Sequence, residues 1–186
     1  TIAERIGSAL ERHDCHFDRI PDSSWIGLQV GEACLRLTDG CVAAELGRNI
    51  AVFDLPLGKE PGIELAWSIS ANASMQWLEA VPQWLALLGF VPRQIADVPG
   101  LVVARTIAML INEAADAVQQ GVCDAAGADA AMKLGVNYPA GPFEWLEGWE
   151  TLAVIKLLDR LDAHYRGERY RVSPWLRQRA WQQEIR

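Results

Sequence analysis

The chain has 186 residues, a net charge of −7 and an apolar content of 51%, enough for one large or two small domains with a buried core. The acidic balance argues against nucleic acid as a partner, because phosphate contacts need clustered Lys and Arg. No apolar run approaches the ~18 residues of a membrane-crossing helix, so no membrane partner is expected.

Thr1 opens directly into Ile2-Ala3-Glu4-Arg5-Ile6, a helical pattern rather than a signal peptide. A mature chain rarely starts this way, so a piece of a longer protein is expected. Ile2 to Arg12 is amphipathic, with Ile2, Ile6, Ala9 and Leu10 on one face. His13-Asp14-Cys15-His16 follows. No further ligand pair completes a zinc site, so a polar loop and no metal are expected. Trp25 to Val30 and Ala33 to Leu37 are β-compatible runs, and Thr38-Asp39-Gly40 is a turn signal. Cys41 to Leu46 fits one or two helical turns closed by Gly47. Ile50 to Leu55 and Ile63 to Ile69 read as strands, with a loop over Gly58-Lys59-Glu60-Pro61-Gly62 between them. Ser74 suits an N-cap for a helix from Met75 to Leu88, stopped by Gly89 and carrying Pro82. Val91 to Ala96 is a further strand.

Asp97-Val98-Pro99-Gly100 then forms a joint, since Pro-Gly is turn chemistry. Beyond it the pattern is all-helical: Leu101 to Gln120, Ala125 to Leu134 capped by Asp124 and ended by Gly135, a helix after Pro142, Thr151 to Tyr165, and Trp175 to Ile185. Leu152, Ile155, Leu158 and Leu161 are expected to face inward. Asn112, Glu113 and Asp116 are expected on a solvated or interface face. Arg166, Arg169, Arg171, Arg177 and Arg179 form a basic C-terminal run. Cys15, Cys34, Cys41 and Cys123 show no C-x-x-C pair, so a reduced, cytoplasmic protein is the simplest expectation.

Strands alternating with helices before the joint suggest a Rossmann-like open sheet. The G-x-G-x-x-G turn of a dinucleotide site occurs nowhere in the chain. The fold class read from this is α/β plus all-α, with a reduced Rossmann-like domain over residues 1–97 and a helical domain over 98–186.

Four segments in order carry a resemblance: Asp97-Val98-Pro99-Gly100-Leu101-Val102-Val103-Ala104-Arg105, Asn112-Glu113-Ala114, Asp129-Ala130-Ala131-Met132-Lys133-Leu134-Gly135, and Pro139-Ala140-Gly141-Pro142-Phe143-Glu144. They resemble D-x-P-G-F-[IV]-x-N-R, N-E-A, D-x-A-[MC]-x-x-G and P-x-G-P-[FL]-E of the 3-hydroxyacyl-CoA dehydrogenase family. Tyr165 to Arg171 and Leu176 to Ala180 look like the second, duplicated helical domain of its long bacterial members, the 3-hydroxyadipyl-CoA and 3-hydroxybutyryl-CoA dehydrogenases of the phenylacetate-degradation type. Leu35 to Gly40 and Val52 to Leu55 look like the reduced Rossmann-like domain preceding it.

The resemblance implies an oxidoreductase that uses NAD in its full-length form, with an acyl-CoA substrate and an upstream catalytic half as partners. The family's base is a His on H-F-F-N-P; the comparable segment here is Val52-Phe53-Asp54-Leu55-Pro56, without a histidine. The Asn preceding the joint's Arg is Ala104. No catalytic residue and no cofactor-binding residue are therefore expected in this chain, and a structural, dimerising role is. Arg105, Asn112, Glu113, Tyr138, Gly141, Pro142 and Phe143 are the substrate or interface candidates. Gly141 is expected at a strained φ, and Met109 and Ile111 are expected at pairing positions of a homodimer. The alternative is an independent acyl-CoA-binding or regulatory module, with Arg105 or the C-terminal arginines on CoA phosphates.

Overall fold

A computed structural model describes residues 1–21, 23–58, 60 and 62–184. The chain forms two compact units, Thr1–Val103 and Ala104 onward. Lys59 and Pro61 of the expected loop, and Ile185 at the expected end of the last helix, lie outside the described residues.

Helix α1 (Ile2–Arg12) starts at a capping box: Thr1 accepts from the Glu4 N–H, and Glu4 reaches back to the Thr1 amino group. A hairpin follows, β1 (Gly27–Val30) and β2 (Ala33–Leu37), turning through Gly31 at φ 60°. Next come α2 (Ala43–Leu46), β3 (Ile50–Phe53), β4 (Ile63–Ile69), α3 (Met75–Leu87) and β5 (Phe90–Gln94). The strands lie side by side in sequence order. β1–β2 and β3–β4 are antiparallel; β2–β3 and β4–β5 are parallel, each joined through a helix. The Rossmann-like α/β unit is thus reduced to two short crossovers in a mixed sheet.

Strand alternation separates the two faces. Leu35, Leu37, Ala51, Phe53, Leu65 and Trp67 share one core with Ile6 and Leu10 of α1 and with Trp77, Val81 and Leu85 of α3. Val52, on the other face, packs with Ala43 and Leu101. On β5, Pro92 stands opposite Leu65 at the sheet's edge, where a missing N–H is tolerated. Pro82 lies mid-helix in α3 rather than in its first turn.

The joint belongs to this first unit. Asp97 accepts from the Ala43 and Ala44 N–H groups at 2.8 and 2.9 Å and from the Ser68 hydroxyl at 2.8 Å. Gly100 (φ 69°) and Leu101 (φ 49°) turn the chain, and Leu101 is fully buried. Asp54, also fully buried, accepts from the Val102 and Val103 N–H groups at 2.9 and 2.7 Å. The first compact unit thus runs through the joint to Val103.

The second unit contains α4 (Val103–Gln119, one residue of which lies in the first unit), α5 (Ala125–Val136), α6 (Pro142–Trp149), α7 (Thr151–Tyr165), a 3-10 turn (Glu168–Tyr170) and α8 (Pro174–Glu184). Helix α7 is its hub, lying against α6, α8 and the 3-10 turn and burying Val154, Ile155, Leu157, Leu158 and Leu161. Three sequence expectations are corrected here. Leu152, expected inward, is 49% exposed, because Thr151 and Val154 take the inner positions of the first turn. Ile111, expected at a pairing surface, is fully buried on the core side of α4. Gly135 does not end α5; the helix runs to Val136, and Asn137 closes it in the left-handed conformation at φ 57°. Helix α5 itself is rich in Ala and other apolar residues yet buries only Ala128, while Leu134 is 87% exposed.

Asp97→Ala removes three acceptor bonds at once. It is expected to destabilise the chain by about 3 kcal/mol, at roughly 1 kcal/mol per bond, read from the shift in a urea-unfolding midpoint; an unchanged midpoint would show that the cap is dispensable.

Candidate functional site

The turn before α6 collects four of the candidates. Gly141, Pro142 and Phe143 are buried, and Tyr138 is half-buried. Pro142 occupies the first turn, where its missing N–H is no loss. The free donors at this helix start are closed by carboxylates: Glu144 accepts from the Gly141 N–H at 2.9 Å, and Asp129 of α5 accepts from the Phe143 N–H at 2.8 Å. Lys133, also on α5, donates to Glu144. That bond, followed by the Gly141 N–H, holds the Glu144 carboxyl below the usual carboxylate range, and the same partner raises Lys133. Phe143 meets Trp175 edge-on with ring centres 5.2 Å apart, and Tyr138 lies 5.7 Å from Trp145. These residues join α5 to α6.

Gly141 has φ −82°, open to any L-residue, so the expectation of backbone strain is corrected. The requirement is steric: a Cβ at Gly141 would overlap the Asp129 carboxyl.

Asn112 is 2% exposed. Its Nδ2 donates to the Arg171 carbonyl at 2.9 Å, and its Oδ1 accepts from the Ser173 N–H at 2.8 Å. Both ends of the amide thus hold the segment leading into α8, and the expected outer placement of Asn112 is corrected; an inward amide satisfies backbone groups that burial would otherwise leave unpaired. Glu113 is exposed and Asp116 is half-buried, the latter paired with Arg171 at 2.6 Å. Arg177 forms a two-pronged pair with Asp159, and Arg179 stacks over Trp175. Arg105 is half-buried and donates Nη1 to the Tyr165 hydroxyl at 3.4 Å. It lines a groove of about 340 Å³ with Tyr165, Gly167, Glu168, Arg169 and Tyr170.

In the first unit, the end of β3 carries Asp54, turned inward onto Val102 and Val103. Among the described residues no three His, Cys, Asp or Glu side chains group as a metal site. Asp97 and Asp129 stand in the motif segments, but their roles as acceptors for backbone N–H groups on other elements depend on neighbours the pattern does not reveal. A helix start lacking a local cap, as at Val42 and Gly141, is the signal that such an acceptor is needed.

Two family models cover most of the chain: the 3-hydroxyacyl-CoA dehydrogenase C-terminal domain over residues 100–186 and the 3-hydroxybutyryl-CoA dehydrogenase reduced Rossmann-fold domain over residues 35–99. The chain belongs to the 3-hydroxyacyl-CoA dehydrogenase family. A 3-hydroxyadipyl-CoA dehydrogenase of Escherichia coli K12 is 42% identical over 77% of this chain, which spans only 29% of that relative's length. The crystal structure of a 3-hydroxybutyryl-CoA dehydrogenase from the same organism aligns with a TM-score of 0.81 and 34% identity, covering 90% of this chain and 35% of that one. A (S)-3-hydroxybutyryl-CoA dehydrogenase from Ralstonia eutropha, 22% identical with a TM-score of 0.65, covers 80% of this chain and 56% of its own and shares the fold. The matched segments run in the order reduced Rossmann-fold domain, then C-terminal helical domain, and the chain spans about a third of the length of these Escherichia coli relatives.

Gly141→Ala is expected to cost ~1–3 kcal/mol, the range for forcing extra volume into a packed site. The cost should shrink in an Asp129→Gly background, where the overlapping carboxyl is gone, so the two changes are non-additive. Chemical denaturation of the single and double variants measures this coupling; strict additivity would refute the steric account.

Proposed function

We propose that this chain is part of an NAD-dependent enzyme that oxidises a 3-hydroxyacyl-CoA, 3-hydroxyadipyl-CoA or 3-hydroxybutyryl-CoA, to the 3-oxoacyl-CoA, as in phenylacetate degradation, and that this part is structural and dimerising rather than catalytic. The observation that carries the reading is the end of β3. Oxidation of the hydroxyl needs a group that accepts its proton. Where the family pattern H-F-F-N-P has its histidine, this chain has Val52, and the nearby carboxylate of the buried Asp54 is engaged with backbone N–H groups.

The residues present do not fit NAD either. A dinucleotide phosphate needs free N–H donors at a helix start behind a glycine turn. Here α2 is a single turn, and its first two N–H groups bond the Asp97 carboxylate. We therefore assign cofactor and chemistry to an upstream half. The four cysteines are free, which supports a reduced, cytoplasmic setting.

The dimerising role rests on α5. An apolar helix with one buried residue, and with Leu134 and Val136 exposed, presents surface that favours a partner. A second helical domain, supplied by another copy, is the proposed occupant, most simply in a two-fold pair burying ~1,600 Å² or more.

Titrating the chain with NADH and assaying it with 3-hydroxybutyryl-CoA and NAD should give neither saturable fluorescence nor turnover. A micromolar NADH signal would overturn the non-catalytic assignment.

Light scattering at tens of micromolar should give a dimer mass, and Leu134→Asp should shift it to monomer with the helical circular-dichroism signal intact. A folded monomer in the unmodified chain would refute pairing.

A further inference from the structure

The groove at Arg105 has a use that the proposed structural role does not absorb, and it does not depend on that role. It lies wholly in the second unit, between the start of α4 and the segment that follows α7. Its about 340 Å³ falls in the range of small-molecule sites.

Three arginines of the basic C-terminal run outside the lining are occupied. Arg171 and Arg177 are neutralised by Asp116 and Asp159, and Arg179 lies over Trp175. Arg105 and Arg169 form no ion pair among the described residues. A guanidinium has five donors, and Arg105 uses one, in a 3.4 Å bond to Tyr165. Two unneutralised guanidiniums on one groove of an acidic chain form a local site for an anion, and their planar forks suit phosphate oxygens.

The groove also has a flat aromatic wall. Tyr165 is 45% exposed as a residue; the buried Tyr170 backs its ring at 5.3 Å with a 33° tilt, and the His164 ring meets it edge-on at 5.0 Å. The hydroxyl of Tyr165 holds Arg105 at the ring's edge. Gly167 lines the groove without a side chain: its φ of −172° accepts any residue, and a Cβ there would meet nothing within 4 Å. Glu168 is the one carboxylate in the lining and opposes an anion.

We propose that this groove binds a phosphate monoester carried on a flat ring system, a nucleotide-type ligand, with the ring stacked on Tyr165 and the phosphate between Arg105 and Arg169. Stacking on an exposed tyrosine is tolerant of ring identity, so the site selects the class rather than one base.

The test is calorimetric titration of the intact 186-residue chain with AMP, with inorganic phosphate and adenosine as separate arms. AMP should bind saturably and more tightly than either half alone. Arg105→Gln and Arg169→Gln should each weaken AMP roughly five- to tenfold, the loss of one charge-assisted contact. Glu168→Gln should tighten it, and Gly167→Val should block it by filling the groove. Arg166→Gln is the control: Arg166 carries the same charge next in sequence to Tyr165 but does not line the groove, so its loss should leave binding unchanged. No saturable AMP binding, equal binding of AMP and phosphate, or equal weakening by Arg166→Gln and Arg169→Gln would each overturn the proposal. Circular dichroism checks every variant, and Arg169, exposed on the surface, keeps the test open if Arg105→Gln fails to fold.

Discussion

Every helix start leaves backbone N–H groups with no partner inside the helix, and the way this chain closes them determines much of its tertiary structure. Thr1, Ser74 and Asp124 are local caps, accepting from residues three further on. The starts of α2, α4 and α6 borrow a carboxylate from elsewhere. Asp97 reaches the first N–H groups of α2 from 54 residues away in sequence, Asp54 reaches Val102 and Val103 from across a similar distance, and Asp129 reaches Phe143 from the preceding helix. Each is a charge-assisted bond, stronger than a neutral one, and each fixes a chain crossing that apolar burial alone leaves free to slide.

The same bonds bear on chemistry. A helix start that holds a carboxylate of its own chain has no donors left for a phosphate from outside. On the proposed reading, the first unit keeps the architecture of a nucleotide fold while its anion positions are filled internally by Asp97 and Asp54. The second unit differs. Three of the five arginines in its basic C-terminal run are spent on Asp116, Asp159 and Trp175, while Arg169 shares a groove with Arg105 and a tyrosine wall.

Much of the fold was legible in the residues. The runs Ala33–Leu37, Ile63–Ile69 and Thr151–Tyr165 carry their own boundaries, because apolar spacing gives way to polar or glycine-bearing turns close to their ends. The motif segments were legible too, down to the joint at Asp97. Sites decided by distant neighbours were not. Gly141 reads as a turn glycine, and only the position of Asp129, on another helix, reveals a steric need. Met109 and Ile111 both belong to a helix apolar over a wide face, so spacing cannot tell which of them the core takes. Asn112 looks like a polar break in that face, although its amide serves buried backbone groups sixty residues on. Asn137 ends α5 where Gly135 looked the better stop, since a left-handed position is set by the path of the chain as well as by residue type.

The sheet carries its strands in chain order, so β5 ends it as an open edge. Amide direction alternates along a strand, and the Ile95 N–H points inward to the Trp67 carbonyl. By that alternation the nitrogen of Pro92 points outward, at the edge, with no hydrogen to offer. Any extended strand approaching that side meets a missing rung in the middle of a five-residue strand. The edge is thereby guarded against strand-by-strand stacking into fibrils, a protection a chain with much apolar surface needs while it is being synthesised and folded.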